Sequence, residues 1–344
     1  MRALVNPAAD RAAVPAALTD AAGFHIAMAG YRPTRMRDLS SVARELGLER
    51  VALKDESDRF GLPAFKVLGA SWAIERTLRE HPETHTLVAA SAGNHGRAVA
   101  HVARSRELAC RVYLPQRSAP ARRAAIAAEG AEVVVVAGDY EEAVARAAAE
   151  GAQPGVVELA DVGAGGPAAW VIDGYATLFA EAAAQGTYDV VLVPAGVGSL
   201  AAAAARFGAQ LESAVVAVEP VTAACVTASL AAGRPTAIAN PGTTMAGLDC
   251  AAVSMAAWPS LLTGLTGAIT VTDAEAHAAM RELAAEGLAI GDCGAAPLAA
   301  LRALAAGEET AALREAVGLG PDSRVLLIGT EGVTDAESYR SVVG

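Results

Sequence analysis

The chain has 344 residues, 53% hydrophobic and 19% charged, which excludes a disordered or linker-like protein and allows one large or two ordinary domains. Its 27 basic and 38 acidic residues give a formal net charge of −11, a poor basis for binding nucleic acid or an anionic membrane, so a bound anion must be held by local donors. The mean hydropathy of +0.33 comes largely from alanine, and with neither a long uninterrupted apolar stretch nor an apolar leader, a cytoplasmic protein without a membrane span is expected.

In chain order, short β-branched runs alternate with alanine-rich amphipathic stretches. Strands are predicted at Arg50–Lys54, Thr86–Ala90, Arg111–Leu114, Glu132–Ala137, Val156–Leu159, Asp189–Pro194, Ala214–Glu219, Ala268–Val271 and Arg324–Ile328. Helices are predicted over Val67–Glu80, Gly96–Arg106, Ala119–Glu129, Tyr140–Glu150, Ala169–Ala184, Leu200–Phe207, Thr222–Ala232, Asp273–Glu286, Ala295–Ala305 and Thr310–Val317. Most of the strands are continuous apolar runs, the pattern of strands buried on both faces. The class is therefore α/β, and the strands suit two open parallel-type sheets better than one. Ligands in such folds sit beyond the carboxyl ends of strands, so the strand–loop–helix junctions are where chemistry is sought. Cys110, Cys225, Cys250 and Cys293 form no C-x-x-C pair; neither a disulfide framework nor a metal site is expected.

Of the 27 basic residues only Lys54 and Lys66 are lysines. Arginine cannot form a Schiff base, whereas a desolvated lysine can, so a surviving lysine is either catalytic or kept for a salt bridge. Lys54 stands in Lys54-Asp55-Glu56, which reads as a strand-end salt bridge. Lys66 opens a helix beside Phe65, and the helix dipole and the apolar neighbour are expected to lower its pKa and favour the amine.

Three further junctions offer donors. Ser91-Ala92-Gly93-Asn94-His95-Gly96 brings small residues and an amide to a helix N-terminus, suited to an anion. His95 there is either an acid–base group or a packing residue. Ala195-Gly196-Val197-Gly198-Ser199-Leu200-Ala201 follows a strand and opens a helix, so its amides can hold a phosphate without any lysine. The same segment fits the dinucleotide fingerprint G-x-G-x-x-G/A, with Glu219 at the ribose position, so it reads equally as a nicotinamide-cofactor site. Thr330 is a hydroxyl at a strand end. In Gly291-Asp292-Cys293-Gly294 the cysteine reads as a packing or donor residue, although the helix start offers a way to lower its pKa.

Together these segments, in this order, resemble the fold-type II pyridoxal-phosphate-dependent enzymes, and within them the diaminopropionate ammonia-lyases. The resemblance runs from about Tyr31 to Val343. It rests on Tyr31-Arg32-Pro33-Thr34, Lys54-Asp55-Glu56-Ser57, Ala64-Phe65-Lys66, Gly93-Asn94-His95-Gly96-Arg97, Gly174-Tyr175-Ala176-Thr177-Leu178, Val218-Glu219-Pro220, Met245-Ala246-Gly247-Leu248 and Thr330-Glu331-Gly332. It implies pyridoxal phosphate as cofactor and a β-elimination that releases an α-keto acid and ammonia from a small amino acid. A β-replacement synthase is the alternative on the same cofactor.

By resemblance, Lys66 carries the cofactor as a Schiff base, with Phe65 beside it and Asn94 at the ring hydroxyl. Gly196, Val197, Gly198, Ser199 and Leu200 take the phosphate, and Thr330 faces the ring nitrogen. Ser91, Ala92, Gly93, Asn94 and His95 take the substrate carboxylate. A further acidic catalytic group falls on Glu158 or Asp161. Ala92 replaces the family's Asp for the opposite enantiomer, and Asp292-Cys293 replaces Glu-Ser, so enantiomer and leaving group stay open. The resemblance also implies a homodimer, with a large domain from residues 1–69 and 172–344 and a smaller α/β domain, 70–171, inserted between.

Overall fold

A computed structural model describes residues 2–138 and 140–344. Its strands are β1 (Ala3–Val5), β2 (Arg35–Asp38), β3 (Arg50–Asp55), β4 (Thr86–Ala90), β5 (Ala109–Pro115), β6 (Glu132–Val136), β7 (Val156–Glu158), β8 (Val190–Pro194), β9 (Ala214–Pro220), β10 (Gly267–Val271) and β11 (Arg324–Gly329). They form two sheets. One has the order β1-β10-β9-β8-β11-β3-β2, the other β6-β5-β4-β7.

Every residue of β8, β9 and β10 is buried, as the continuous apolar runs require of strands covered by helices on both faces. The four-stranded sheet is parallel throughout. In the larger sheet, the edge strands β1 and β2 pair antiparallel to β10 and β3, so this sheet is mixed where a parallel one was expected. An antiparallel edge needs no crossover helix, and β2 (Arg-Met-Arg-Asp) presents charge at the edge, which blunts it against further pairing.

The helices Lys66–Glu80 and Pro167–Gln185 cross between the sheets. A Cβ on Gly69 would stand 2.6 Å from Tyr175 Cε1, and one on Gly174 would stand 2.6 Å from the Leu68 carbonyl oxygen. Glycine at both positions lets the backbones approach, and this sets Lys66 beside Tyr175. The limits expected for the inserted domain, 69/70 and 171/172, fall inside these two helices.

Lys54 lies in a different place. It is fully buried, and Nζ donates to Glu181 Oε2 (2.8 Å), Gln185 Oε1 (2.8 Å) and the Thr34 carbonyl (3.0 Å). Its neighbours in sequence turn elsewhere: Asp55 pairs with Arg37 (3.1 Å), and Glu56 with the buried Arg59 (2.7 Å), which also holds Glu181. The salt bridge expected of Lys54 therefore exists, but with a partner 127 residues along the chain. Two cations and two anions compensate one another in the core, as buried charge demands.

Candidate active site

The carboxyl ends of β3, β8 and β11 face the carboxyl ends of β4 and β7, and the candidate residues converge there. Lys66 is the first residue of its helix. The segment before it is stitched to the end of β11: Phe65 N donates to the Thr330 carbonyl (3.2 Å) and Gly332 N to the Pro63 carbonyl (3.0 Å). Lys66 Nζ donates to Asp161 Oδ2 at 3.0 Å, just beyond β7. The Asp161 carbonyl in turn accepts from Ser199 Oγ (3.2 Å), so one short segment ties the lysine to the glycine loop. The Phe65 and Tyr175 rings, 4.8 Å apart, wall the lysine, with Nζ 5.6 Å and 5.9 Å from their centroids.

The electrostatics of Lys66 reverse the sequence expectation. Burial does press its pKa down, but Tyr175 and Asp161 outweigh that and hold the ammonium above its ordinary range. Of these two, Asp161 is the full anion at neutral pH. Burial likewise opposes charge on Asp161, yet Lys66 holds its carboxyl well below the usual range. The pair is therefore ionic in the protein without cofactor.

The glycine loop follows β8. Gly198 has φ +93°, a left-handed conformation that glycine adopts freely, and its missing side chain leaves Leu261 Cδ1 only 2.6 Å from where a Cβ would stand. The helix Ser199–Leu211 makes its first internal bond from Ala202 N to the Gly198 carbonyl (2.8 Å), so the amides ahead of it are free of helical partners. Gly196 is fixed by Cys225 Sγ, which donates to its carbonyl (3.4 Å), and Val197 by Ser254 N on its carbonyl (2.8 Å). Leu200 points into the core.

Glu219 does not serve a ribose. Its carboxylate is fully buried and accepts from Val226 N (2.7 Å), Thr227 N (2.8 Å) and Thr227 Oγ1 (2.6 Å). It caps the helix Cys225–Ala232, which removes the acidic partner that the nicotinamide-cofactor alternative required.

Asn94 opens the helix Asn94–Ser105, and its Nδ2 donates to Glu331. Burial, followed by the neighbouring Asp292, raises the Glu331 pKa to about 7. Ser91 Oγ accepts from Gly93 N (3.3 Å), and Gly96 packs with the position of a Cβ only 2.3 Å from the Ser91 carbonyl oxygen, so the loop is tight. Ala92, Gly93 and Asn94 line a cleft that reaches Arg122, His277, Asp292 and Glu331. His95 is buried, with Nε2 on the Leu159 carbonyl (2.7 Å) and Nδ1 without a partner. Glu158 ends β7 and packs against Gly151, where a Cβ would meet its own Cβ at 2.8 Å; it does not join the Lys66–Asp161 pair. Cys293 is not activated by its helix start: burial first, then Glu331 and Asp292, push its thiol upward.

Three residues that the sequence reading did not single out stand in this constellation. Glu331 anchors Asn94, Tyr175 walls Lys66, and Cys250 sits close enough to interact with both Asp161 and Lys66. Only the stretches around Thr330 and Gly174 carried a signal for the first two.

The geometry fits pyridoxal phosphate on observations of its own. Thr330 Oγ1 is buried, at the end of β11 beside Phe65, and lacks any hydrogen-bond partner, as a ring-nitrogen contact would leave it. The glycine loop offers amides to a phosphate, and Asp161 ties its Ser199 to Lys66. These features together define a pyridoxal-phosphate-dependent enzyme of two-sheet α/β architecture. The family model described as pyridoxal-phosphate dependent enzyme matches residues 27–331, and the chain belongs to that family.

Among its relatives, the diaminopropionate ammonia-lyase of Escherichia coli is 34% identical over 93% of this chain and 89% of its own. A crystal structure of that enzyme in complex with an aminoacrylate–PLP azomethine reaction intermediate superimposes with a TM-score of 0.91, at 32% identity, over 99% of this chain and 96% of the other. The biosynthetic L-threonine dehydratase of E. coli is 30% identical over 69% of this chain and 46% of its own length. Among the described residues, no helix is long and apolar enough to cross a membrane.

Proposed function

We propose that the chain is a lyase that eliminates the β-substituent of a small amino acid of the 2,3-diaminopropionate type, using pyridoxal phosphate. For 2,3-diaminopropionate itself, one water is consumed and pyruvate and two molecules of ammonia are released. The observation that carries the reading is Lys66 Nζ at 3.0 Å from Asp161 Oδ2, with the Asp161 carbonyl on Ser199 of the glycine loop and Phe65 N on the Thr330 carbonyl. Likeness along nearly the whole chain to lyases of that name supports it.

Pyridoxal phosphate would supply an electrophilic aldehyde carbon and a conjugated ring that spreads negative charge from the substrate's α-carbon. The residues would divide the remaining work. Lys66 would hold the cofactor through its nitrogen and would move a proton at the substrate's α-carbon. Asp161 holds the Lys66 ammonium and takes part in the proton traffic that makes it an amine. Residues 196–200 take the phosphate on backbone amides, and Asn94, held by Glu331, faces the ring hydroxyl. Thr330 supplies a neutral hydroxyl to the ring nitrogen. Ser91 and the amides of Ala92, Gly93 and Asn94 take the substrate carboxylate, while His95, bound to the Leu159 carbonyl, holds the helix that presents them. Glu158 is the alternative acid, and its packing on Gly151 makes Asp161 the better choice. A homodimer in the cytoplasm, with a large domain of residues 1–69 and 172–344 and a small domain of 70–171, completes the reading.

The test is direct. Purified protein supplied with pyridoxal phosphate should show the yellow band of an imine, borohydride should fix the cofactor on Lys66, and Lys66→Ala should abolish both colour and turnover. Keto-acid release is then measured over a panel of small amino acids in both enantiomers. Release that appears only when a nucleophile is supplied would turn the reading to β-replacement; a protein that stays colourless would overturn it.

A further inference from the structure

The three largest fully buried side chains are Arg59, Tyr175 and Lys54. The two cations are fully engaged in the ion network of the core. Tyr175 is not: its hydroxyl has no hydrogen-bond partner. A buried hydroxyl without a partner costs stability that phenylalanine in the same space would not. The ring is held on several sides, with Phe65 at 4.8 Å and the position of a Gly69 Cβ only 2.6 Å from Cε1, so the hydroxyl has little freedom to seek a partner elsewhere. The charged groups that act on it are Lys66 and Asp161, and Lys66 Nζ lies 5.9 Å from the ring centroid.

We infer that Tyr175 is a positioning residue whose hydroxyl receives the Lys66 amine when that nitrogen is free of cofactor and turns from Asp161. The inference rests on the reading of Lys66 as the cofactor lysine. A phenol suits the task because it serves both protonation states. Its O–H donates to the lone pair of a neutral amine, and its oxygen accepts from an ammonium. No proton leaves the phenol, whose pKa burial pushes up to about 12. Asp161 binds the nitrogen only as a donor, so without Tyr175 the neutral amine would have no group to orient its lone pair. His95, Cys250 and Tyr140 are further titratable groups near this cluster; burial pushes the His95 pKa down and the Cys250 and Tyr140 pKa values up, so each favours its neutral form.

The sequence makes the test unusually clean, because the chain has only two lysines. Apoprotein carrying ¹⁵N-labelled lysine should give two Nζ resonances, with buried Lys54 as the internal reference. In Tyr175→Phe, which keeps the ring, the Lys66 resonance should move and the Lys54 resonance should not. In the holoenzyme the same variant should keep its colour, lose about tenfold or more in kcat, and hold KM within about twofold. An unmoved Lys66 resonance, or a moved one with unchanged kcat, would overturn the inference and leave Tyr175 a packing residue. Should Tyr175→Phe fail to fold, 3-fluorotyrosine at position 175 keeps ring and hydroxyl while making the phenol more acidic. The Lys66 resonance must then move, and a static one is equally fatal. Failure of the cofactor reading would appear separately, as a wild-type protein that never develops the imine band.

Discussion

Asp161→Asn replaces the anion of the Lys66 pair by a neutral group of the same shape, and its consequences follow from the geometry. Unit charges about 4 Å apart interact by about 4 kcal/mol at the effective dielectric near a protein surface. The pair is at 3.0 Å but keeps 17% and 18% of its side-chain surface exposed. Solvent and side-chain entropy then reduce the coupling to roughly 2 kcal/mol, or about 1.5 pH units on the lysine. Lys66 is raised by the pair, so its share of the stability is present below the ordinary lysine pKa and is lost as pH rises through the folded value. Asp161 is depressed, so its share is present above the ordinary aspartate pKa and is lost as pH falls through the folded value. Both shares stand at neutral pH, and the substitution removes both.

For a chain of 344 residues, 2 kcal/mol corresponds to a fall of about 3 °C in the apoprotein Tm. With the Asp161 charge gone and Tyr175 still opposing burial, the neutral fraction of Lys66 at pH 8 should rise about thirtyfold. Stopped-flow mixing of apoprotein with pyridoxal phosphate should therefore show faster appearance of the imine band in Asp161→Asn than in the wild type. Turnover should nevertheless fall by about a hundredfold or more, the scale of a lost acid–base group. Unchanged imine formation together with an unchanged Tm would refute the electrostatic coupling. Faster loading with undiminished turnover would refute the proton-handling role of Asp161.

Two further outcomes concern the frame around the site. Lys54→Met should cost about 3 kcal/mol in urea unfolding, because it leaves Glu181 buried with only part of its compensation, while the imine band of the loaded enzyme should survive; a loss under about 0.5 kcal/mol would show that the network is dispensable. Glu219 is pushed by burial to about 7 from an ordinary 4.5, so the folded protein binds its proton more readily than the unfolded chain does, and stability should fall as pH rises between those values. Glu219→Gln should flatten that fall, and an identical pH dependence of the urea midpoint in the variant would contradict the assignment.

The boundary between what the sequence discloses and what it hides runs along sequence distance. Central strands such as Val190–Pro194 and Ala214–Pro220 announce themselves because burial on both faces demands an unbroken apolar run. The edge strands have no such demand. Arg35–Asp38 is held by backbone pairing to β3 and by the Arg37–Asp55 contact, and a local pattern of Arg-Met-Arg-Asp carries no trace of that. The C-terminal helix Ala336–Val343 fully buries no residue, and its apolar stripe of Tyr339, Val342 and Val343 is short and only half-buried, so the pattern is weak beside its Asp335 cap. The helix Trp258–Gly264 begins with a proline in its first turn, which reads as a loop although that position tolerates it.

The site divides in the same way. Lys66, the loop at Gly196–Ser199, Asn94 and Thr330 are legible because each is a strand end or helix start whose chemistry is local. The acid was not, since Glu158 and Asp161 are three residues apart and β7 pairs with β4 over only three positions before the chain turns irregular. The direction of the Lys66 pKa is hidden for the same reason: its local neighbours, a helix start and a phenylalanine, argue downward. The partner that reverses the sign lies 95 residues away and arrives only through the register of the smaller sheet. Tyr175 stands in a stretch that carries a family signal, but its role is hidden inside a helix that reads as an ordinary packed one. Its place beside the lysine depends on two glycines in different helices, 105 positions apart. The chemistry of this site is thus divided between local motifs that bind and long-range contacts that set charge. Substitutions at the long-range contacts, Asp161 and Tyr175, should therefore alter the protonation and orientation of Lys66 while leaving the phosphate loop as it is.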